Sequence, residues 1–209
     1  MSAHLLTDPS DQQIEQIVDV CIRAYSGDNV IRSMTGDRPE LWPPLFRAWL
    51  KAGRLAGAIY VVESEPGRIA SAGLWFGPGK ALLASEEQRA LGWNEFWEAL
   101  TPETHEWWAY LNKTTAGMAD EKRTKEIMDG WFANMIATDP AFQRRGYASS
   151  IVRAVCERGV KEGTLVALGT QKKDNVAYYR SLGFEVFGQT DVLSKIGDFT
   201  AYLLSYTPP

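Results

Sequence analysis

The chain has 209 residues, of which 45% are hydrophobic and 23% charged, and its formal net charge is −4. This composition is ordinary for a globular domain with a sizeable core, and the negative charge argues against a general nucleic-acid binder. No apolar run approaches the roughly 20 residues that span a bilayer. The first ten residues also lack the basic and apolar regions of a secretory signal. We therefore expect a cytoplasmic protein that binds neither membranes nor nucleic acid.

The cysteines and histidines exclude two further classes of protein. Cys21 and Cys156 are the only cysteines and both fall in helical patterns, so we expect buried free thiols in place of a disulfide. His4 and His105 are the only histidines. Because no Cys/His cluster exists, we expect no metal site.

The first part of the chain predicts two helices. Between residues 12 and 25, apolar residues recur at helical spacing, with Asp11 near the N-cap and Gly27 after the last turn. Residues 41–55 give a second helical pattern, with prolines at its start.

A hairpin and a long helical segment follow. Residues 58–63 and 69–76 have strand composition, and a turn over residues 65–67 separates them. Residues 80–129 are helical in pattern, and Pro102 divides them into at least two helices.

Strands and helices alternate in the last part of the chain. The predicted elements are strand 131–137, helix 146–159, strand 165–170, helix 175–182, strand 184–189 and strand 199–206. A strand–helix–strand unit implies a parallel pair with a crossover helix, whereas the early hairpin and the last two strands favour antiparallel pairing. We therefore predict an α/β (mixed α+β) fold, whose central mixed sheet of six or seven strands is mostly antiparallel and has helices on both faces.

The loop over residues 138–150 has the composition of an anion site. It connects a predicted strand to a predicted helix, and the first amides of a helix have no intrahelical partner. Gly146 allows close approach of the backbone, and Arg144 and Arg145 add charges that suit a phosphate. The alternative is a basic helix start with a chance glycine.

A second pattern lies in the helix over residues 175–182. Asn175 and Tyr179 are four residues apart and share one helix face. Tyr178 points about 100° around the same helix. Gly183 is a suitable left-handed stop, after which Phe184 returns to the core.

Together the two patterns resemble the signature of the GNAT superfamily of acyl-CoA-dependent N-acetyltransferases. The first part is Gln143-Arg144-Arg145-Gly146-Tyr147-Ala148, and the second runs from Asn175 through Tyr179 to Gly183-Phe184. The resemblance covers residues 131–206 and is nearest to the puromycin N-acetyltransferase-like branch of fungi and bacteria. It implies a GNAT fold with a splayed parallel strand pair. It also implies a single domain over residues 1–209, with a helical insertion at about 80–129.

The resemblance also implies an activity and a site. The expected reaction moves an acetyl group from acetyl-CoA, the co-substrate, to the primary amine of a small molecule, by direct attack through a tetrahedral intermediate without a metal. Tyr179 would be the catalytic acid that protonates the leaving thiolate. The cofactor-binding residues implied are Met135, Ile136, Ala137, Thr138, Gln143, Arg144, Arg145, Gly146, Tyr147, Ala148, Ser149, Asn175 and Tyr179. The other interpretations are a core aromatic role for Tyr179 and a helix N-cap role for Asn175.

The acceptor site is less defined by the sequence. An aromatic segment predicts either core packing or an apolar wall around the acceptor, and it contains Trp93, Phe96, Trp97, Trp107, Trp108 and Tyr110. Glu63, Glu65, His105 and Glu106 are general-base candidates by residue type only, and a water chain is the alternative. A protein or peptide N-acetyltransferase and a non-catalytic acyl-CoA-binding module are the competing functions. We expect a monomer or a homodimer, with the C-terminal strand at a sheet edge.

Overall fold

The computed structural model describes residues 2–206. Its strands are β1 (His4–Leu5), β2 (Ala58–Glu65), β3 (Arg68–Phe76), β4 (Trp131–Thr138), β5 (Val166–Thr170), β6 (Phe184–Val192) and β7 (Phe199–Tyr206). Its helices are α1 (Asp11–Ala24), α2 (Asn29–Met34), α3 (Trp42–Ala56), α4 (Glu86–Arg89), α5 (Trp93–Glu98), α6 (Pro102–Ala116), α7 (Glu121–Met128), α8 (Tyr147–Glu162) and α9 (Lys173–Arg180). Short 3₁₀ turns cover Pro39–Leu41 and Pro140–Phe142.

The strands form one seven-stranded sheet in the order β1-β2-β3-β4-β5-β7-β6. Among residues 2–206, only the β4–β5 pair is parallel, and the other neighbouring pairs are antiparallel. The predicted mixed, mostly antiparallel sheet is therefore confirmed. The expected edge position of the C-terminal strand is wrong, because β7 lies between β5 and β6. The terminal Pro208 and Pro209 lie outside the described residues.

Two buried apolar clusters lie on opposite faces of the sheet, as the prediction of helices on both faces requires. One cluster joins α1 and α3 to the sheet through residues such as Ile17 and Phe46. The other joins α8 and α9 to it through residues such as Ile151 and Tyr179. Strand β4 contributes to both clusters, because Trp131 and Ala133 belong to the second and Met135 and Ala137 to the first, on either side of a register shift.

Local sequence signals explain most element boundaries, and the differences from prediction have identifiable causes. The N-cap of α1 is Ser10 and not Asp11, because Ser10 and Gln13 form a reciprocal capping box. The hairpin turn is shorter than predicted, since β2 extends to Glu65 and β3 begins at Arg68. Two elements were missed, β1 and α2. Both are too short for a periodic apolar pattern to be detected.

The segment between β3 and β4 contains four helices, α4–α7, which we call the inserted helices. Their aromatic residues pack on one another: the ring centroid of Trp93 lies 5.1 Å from that of Phe96, 5.7 Å from Trp97 and 5.6 Å from Trp108. This aromatic group extends the apolar core of α1 and α3. The core-packing interpretation of the aromatic segment is therefore correct.

The inserted helices also hold the loop between β6 and β7. The Trp107 indole donates a hydrogen bond to the Leu193 carbonyl (3.0 Å), and the Leu193 amide donates to the Tyr110 hydroxyl (3.0 Å). On the other side, Ser194 and Ser33 share a hydroxyl–hydroxyl hydrogen bond of 2.6 Å. The loop is thus fixed between α6 and α2.

The inserted helices come close to the edge strand β6 at Gly188. A Cβ on Gly188 would lie 2.2 Å from the Met118 carbonyl oxygen, a backbone atom that cannot rotate away. We expect Gly188→Ala to lower the free energy of unfolding by about 1–3 kcal/mol, measured by urea denaturation. Gly117→Ala is the control, because a Cβ there meets nothing within 4 Å and φ is −80°. Equal stability of the two variants would contradict this account.

Candidate active site

A large cavity opens where β4 and β5 separate. The parallel pairing covers only residues 131–133 of β4, and it ends at Ala133, opposite Leu168. A register shift in the β3–β4 pairing leaves Asn134 as an extra residue at this point, and such a bulge bends a strand and increases its twist. The cavity has a volume of about 1070 Å³ and is lined by β4, β5, the β4–α8 loop, α9 and residues from α1–α3.

The outer edge of β4 faces this cavity with its backbone groups. The Asp139 amide donates to the Ala70 carbonyl on β3, and the two sides of a strand alternate along the chain. The backbone N–H and C=O groups of Ile136 and Thr138 therefore point away from β3. Their carbonyls accept hydrogen bonds from the Tyr25 hydroxyl (3.1 Å) and the Gln143 amide (3.2 Å). Because β5 has already diverged, the amides of Ile136 and Thr138 face the cavity side without a strand partner.

The β4–α8 loop places a helix N-terminus at the same cavity. Gly146 is the N-cap of α8 with φ +82°, and a Cβ there would meet nothing within 4 Å. Arg144 also has a positive φ of 62°, a conformation that costs a non-glycine residue energy and often marks a functional loop. The first amides of this 16-residue helix have no intrahelical partner, and the helix dipole favours an anion there.

The two arginines of the loop differ in position. Arg144 lines the cavity, as do Gln143, Gly146, Tyr147, Ala148 and Ser149. Arg145 is not among the lining residues; its guanidinium lies over the Phe142 ring, 5.2 Å from the centroid. A second guanidinium, that of Arg68, lies at the same distance from that ring. The structure thus brings together every predicted cofactor-binding residue except Arg145.

Helix α9 places two adjacent tyrosines at the cavity. The Tyr178 hydroxyl shares a 3.0 Å hydrogen bond with the Ser149 hydroxyl. The Tyr179 side chain is only 7% exposed, packs against Phe184, and has no hydrogen-bond partner for its hydroxyl among residues 2–206. Asn175 is not the N-cap, a position that Lys172 occupies. Its amide instead donates to the Thr170 hydroxyl at 3.1 Å, which joins α9 to the end of β5.

Burial sets the protonation state of Tyr179. Desolvation, and then the neighbouring Tyr178, raise the pKa of the Tyr179 hydroxyl well above its ordinary value, because the phenolate is the charged form and burial disfavours it. Tyr179 therefore remains protonated at neutral and mildly alkaline pH. In this form its hydroxyl can donate a proton.

The cavity is also lined by residues from the first 50 positions of the chain, for which the sequence patterns predict no role. Helices α1, α2 and α3 contribute Tyr25, Asp28, Val30, Ile31, Met34 and Trp49. A signal for α2 was present in the sequence: Asp28 caps the helix by accepting from the amides of Val30 and Ile31. The six-residue helix was too short to show periodicity.

The sequence-based candidates for a general base do not line the cavity. Glu63 accepts from the Gly67 amide, and Glu65 pairs with Arg68, both in the β2–β3 hairpin. The His105 ring stacks on Trp97 and its Nε2 lies 2.8 Å from the Trp97 carbonyl. Glu106 and the aromatic residues of the inserted helices are also absent from the lining, so the alternative interpretation of that segment as an acceptor wall is wrong.

The residues present suit coenzyme A and its acyl thioester. The N-terminus of α8, with Arg144 beside it, matches a pyrophosphate, and the free edge of β4 matches an extended amide-containing arm. No helix among the described residues is long and apolar enough to cross a bilayer. Within residues 2–206 there is also no group of three or more histidine, cysteine or carboxylate side chains placed to hold a metal ion.

Both cysteines are buried, and burial disfavours the thiolate. It raises the pKa of Cys21 far above its usual range and that of Cys156 to about 12. We expect neither thiol to react rapidly with a disulfide reagent at pH 8 in the native protein, whereas both react after unfolding in urea. Absorbance of the released chromophore measures this. A fast stoichiometric reaction of the native protein would show that a thiol is accessible, and a cysteine could then act as a nucleophile.

Several solved structures share this architecture. A protein from Corynebacterium glutamicum described as histone acetyltransferase HPA2 and related acetyltransferase is 17% identical, with a TM-score of 0.65 and coverage of 100% of this chain and 99% of that one. Arylalkylamine N-acetyltransferase 2 from Aedes aegypti is 12% identical, with a TM-score of 0.63 and 98% of each chain covered. The yncA protein from Salmonella typhimurium, solved with its cofactor acetyl-CoA, is 11% identical, with a TM-score of 0.54 and coverage of 99% and 94%.

At these identities the structural likeness shows the fold, and the family follows from the sequence. No protein with a curated description matches the chain. The model of the Acetyltransferase (GNAT) family matches residues 76–184, from the end of β3 to the start of β6, which is more than half of the chain and includes the loop before α8 and the tyrosines of α9. The protein is therefore an acetyl-CoA-dependent acetyltransferase and belongs to the GNAT family.

Proposed function

We propose that this acetyltransferase transfers the acetyl group of acetyl-CoA to the primary amine of a small molecule by direct attack. The observation that carries the proposal is the continuity of the cavity. One space joins the start of α8, the free edge of β4, the Tyr179 side chain and the apolar residues of α2 and α3. Donor and acceptor can therefore meet in a single site, and a covalent enzyme intermediate is not needed.

The donor is held by backbone groups more than by side chains. The amides of Ala148 and Ser149 near the start of α8 receive the pyrophosphate, and Arg144 adds a positive charge. The pantetheine arm adds to the free edge of β4 as an extra strand would, along Met135–Thr138. Asn175 fixes the first turn of α9 through Thr170, which keeps Tyr179 at the cavity.

Two groups of this chain act on the reacting atoms. The Ile136 amide faces the cavity side of β4 and polarises the thioester carbonyl, as an oxyanion-hole donor does. The Tyr179 hydroxyl, protonated and without a hydrogen-bond partner among the described residues, donates its proton to the leaving thiolate. Since none of the four base candidates lines the cavity, we assign the removal of the amine proton to water.

The form of the acceptor end favours a small molecule over a protein. Ile31 and Trp49 are buried, and the remaining walls come from helices of the same domain. A peptide substrate needs an open groove instead. The similar structures include proteins described as a histone acetyltransferase and as an arylalkylamine N-acetyltransferase, so a protein acceptor is the second candidate. A non-catalytic acyl-CoA-binding module is the third, and the free hydroxyl of Tyr179 argues against it. The puromycin N-acetyltransferase-like branch and the monomer or homodimer remain predictions.

Coenzyme A binding provides the first test. We expect saturable binding of coenzyme A by calorimetry, and we expect Gly146→Asp to abolish it, because the carboxylate would lie where the pyrophosphate binds. Gly163→Asp is a matched control. It lies at the other end of α8, also has a positive φ (66°), and also has nothing within 4 Å of its Cβ position. Loss of binding in both variants, or no binding by the wild type, would contradict the assignment.

Turnover provides the second test. We expect Tyr179→Phe to lower kcat by about 10²–10⁴-fold, the usual contribution of a general acid, with little change in coenzyme A affinity. The control is Tyr178→Phe, which changes the adjacent tyrosine on the same helix, and we expect a much smaller effect on kcat. Release of the free thiol in the presence of a panel of amines gives the rate. Unchanged turnover in Tyr179→Phe would show that another group protonates the thiolate.

The pH dependence gives a third test. The ordinary pKa of a phenol is about 10. Because burial raises the pKa of Tyr179 above this value, its hydroxyl stays protonated up to a higher pH than an exposed tyrosine does. We expect that ionisation of Tyr179 does not lower kcat at saturating amine between pH 7 and roughly pH 10. The wild type and Tyr179→Phe should therefore show the same pH dependence over this range. A decrease near pH 9 in the wild type that is absent from the Phe variant would contradict the raised pKa.

A further inference from the structure

Asp28 is a buried carboxylate on the wall of the acceptor end. It is 1% exposed and lines the cavity. Its Oδ1 accepts hydrogen bonds from the amides of Val30 (3.0 Å) and Ile31 (3.2 Å), and its Oδ2 accepts one from the Gln171 side chain (2.8 Å). A carboxylate has about four acceptor positions. The hydrogen bonds from described residues therefore occupy three, and one position on Oδ2 is open.

The group nearest to this open position is a primary ammonium. The Lys172 Nζ lies 3.5 Å from Asp28 Oδ2, and the Lys172 side chain is 55% exposed. Charge-assisted hydrogen bonds are usually about 2.7–2.9 Å long, so this pair is loose. Lys172 also lines the cavity. The Lys172 side chain is more than half exposed, so it can turn into solvent when another ammonium takes its place beside Asp28.

Next to Asp28 the cavity wall is apolar. Val30, Ile31 and Met34 line it from α2, and Trp49 lines it from α3. Trp49 is 7% exposed, and its indole nitrogen has no hydrogen-bond partner among the described residues.

We propose that the acceptor is a primary amine with an apolar body, whose ammonium binds Asp28 in place of Lys172 while the body lies against Val30, Ile31, Met34 and Trp49. This inference rests on the proposed function and names the substrate class for the same site. Asp28 recognises the amine by charge, and the apolar wall selects against acceptors that carry polar groups next to the amine.

The position of Tyr25 connects this subsite to the reacting atoms. Its hydroxyl donates to the Ile136 carbonyl on β4. Burial, and also the nearby Cys21, Tyr179 and Asp28, raise the pKa of Tyr25 well above its ordinary value. Tyr25 is therefore close enough to Tyr179 and to Asp28 to be influenced by both.

The ammonium contact is tested with Asp28→Asn. Asparagine is an equally good N-cap through its single oxygen, and its NH2 group can donate to the Gln171 side-chain oxygen once that amide turns over, so the substitution removes the charge and keeps the fold. The wild type, saturated with coenzyme A, is titrated by calorimetry with hexylamine and with hexan-1-ol, which carries a neutral hydroxyl on the same chain. We expect Asp28→Asn to weaken hexylamine binding by about tenfold or more and to leave hexan-1-ol binding unchanged.

Lys172→Met supplies the opposite change. It removes the cation that the amine has to displace, so we expect hexylamine to bind several-fold more tightly, and we expect this gain to disappear in the Asp28→Asn background. The apolar body is tested by the series ethylamine, butylamine and hexylamine. Affinity is expected to rise by up to about fourfold per buried methylene.

Three results would overturn the proposal: hexylamine affinity in Asp28→Asn within about twofold of the wild type, equal affinity for hexylamine and hexan-1-ol, or no binding of any amine of the series to the wild type with coenzyme A bound. Thermal unfolding of Asp28→Asn, expected within a few degrees of the wild type, shows that the variant is folded. Failure of the proposed function is recognised separately, because in that case coenzyme A itself does not bind.

Discussion

The separation of β4 from β5 is the constraint on which the site depends. Their parallel pairing ends at Ala133, and the bulge at Asn134 begins at the next residue. Beyond it, β4 stays paired with β3 while β5 pairs with β7 on its other side. Backbone amides that would normally bond to a neighbouring strand are then left at a cavity wall. An unpaired strand edge is costly when buried, and a ligand with amide groups of its own is the partner that satisfies it.

The acceptor end depends on a longer series of contacts. The inserted helices hold the β6–β7 loop through Leu193, and this loop holds α2 through the Ser33–Ser194 hydrogen bond. Helix α2 in turn carries Asp28, which binds Gln171 after β5. The inserted helices thus contribute no lining residue, yet they position the helix that does. A substitution such as Gly188→Ala acts on the far end of this series, at the contact with Met118.

Much of the donor side could be predicted from the sequence, because its signals are local. A glycine before a helix, two arginines next to it and a tyrosine four residues after an asparagine lie within short segments, and the structure brings Gly146, Arg144, Asn175 and Tyr179 to one cavity. Arg145 is the exception. Its guanidinium stacks on Phe142, and a choice between a phosphate and an aromatic ring cannot be read from the sequence.

The sequence by itself determined the order of the strands and helices along the last part of the chain, the glycine-containing loop before α8 and the family, since each depends on residues that are neighbours in the chain. Only the tertiary structure decided what the cavity contains at its acceptor end. Asp28 and Lys172 are 144 positions apart in the sequence, yet the Lys172 Nζ lies 3.5 Å from the Asp28 Oδ2. The aromatic residues of the inserted helices pack in the core. Contacts between distant segments follow from how helices pack on the two faces of the sheet, and periodicity within a segment carries no information about that packing.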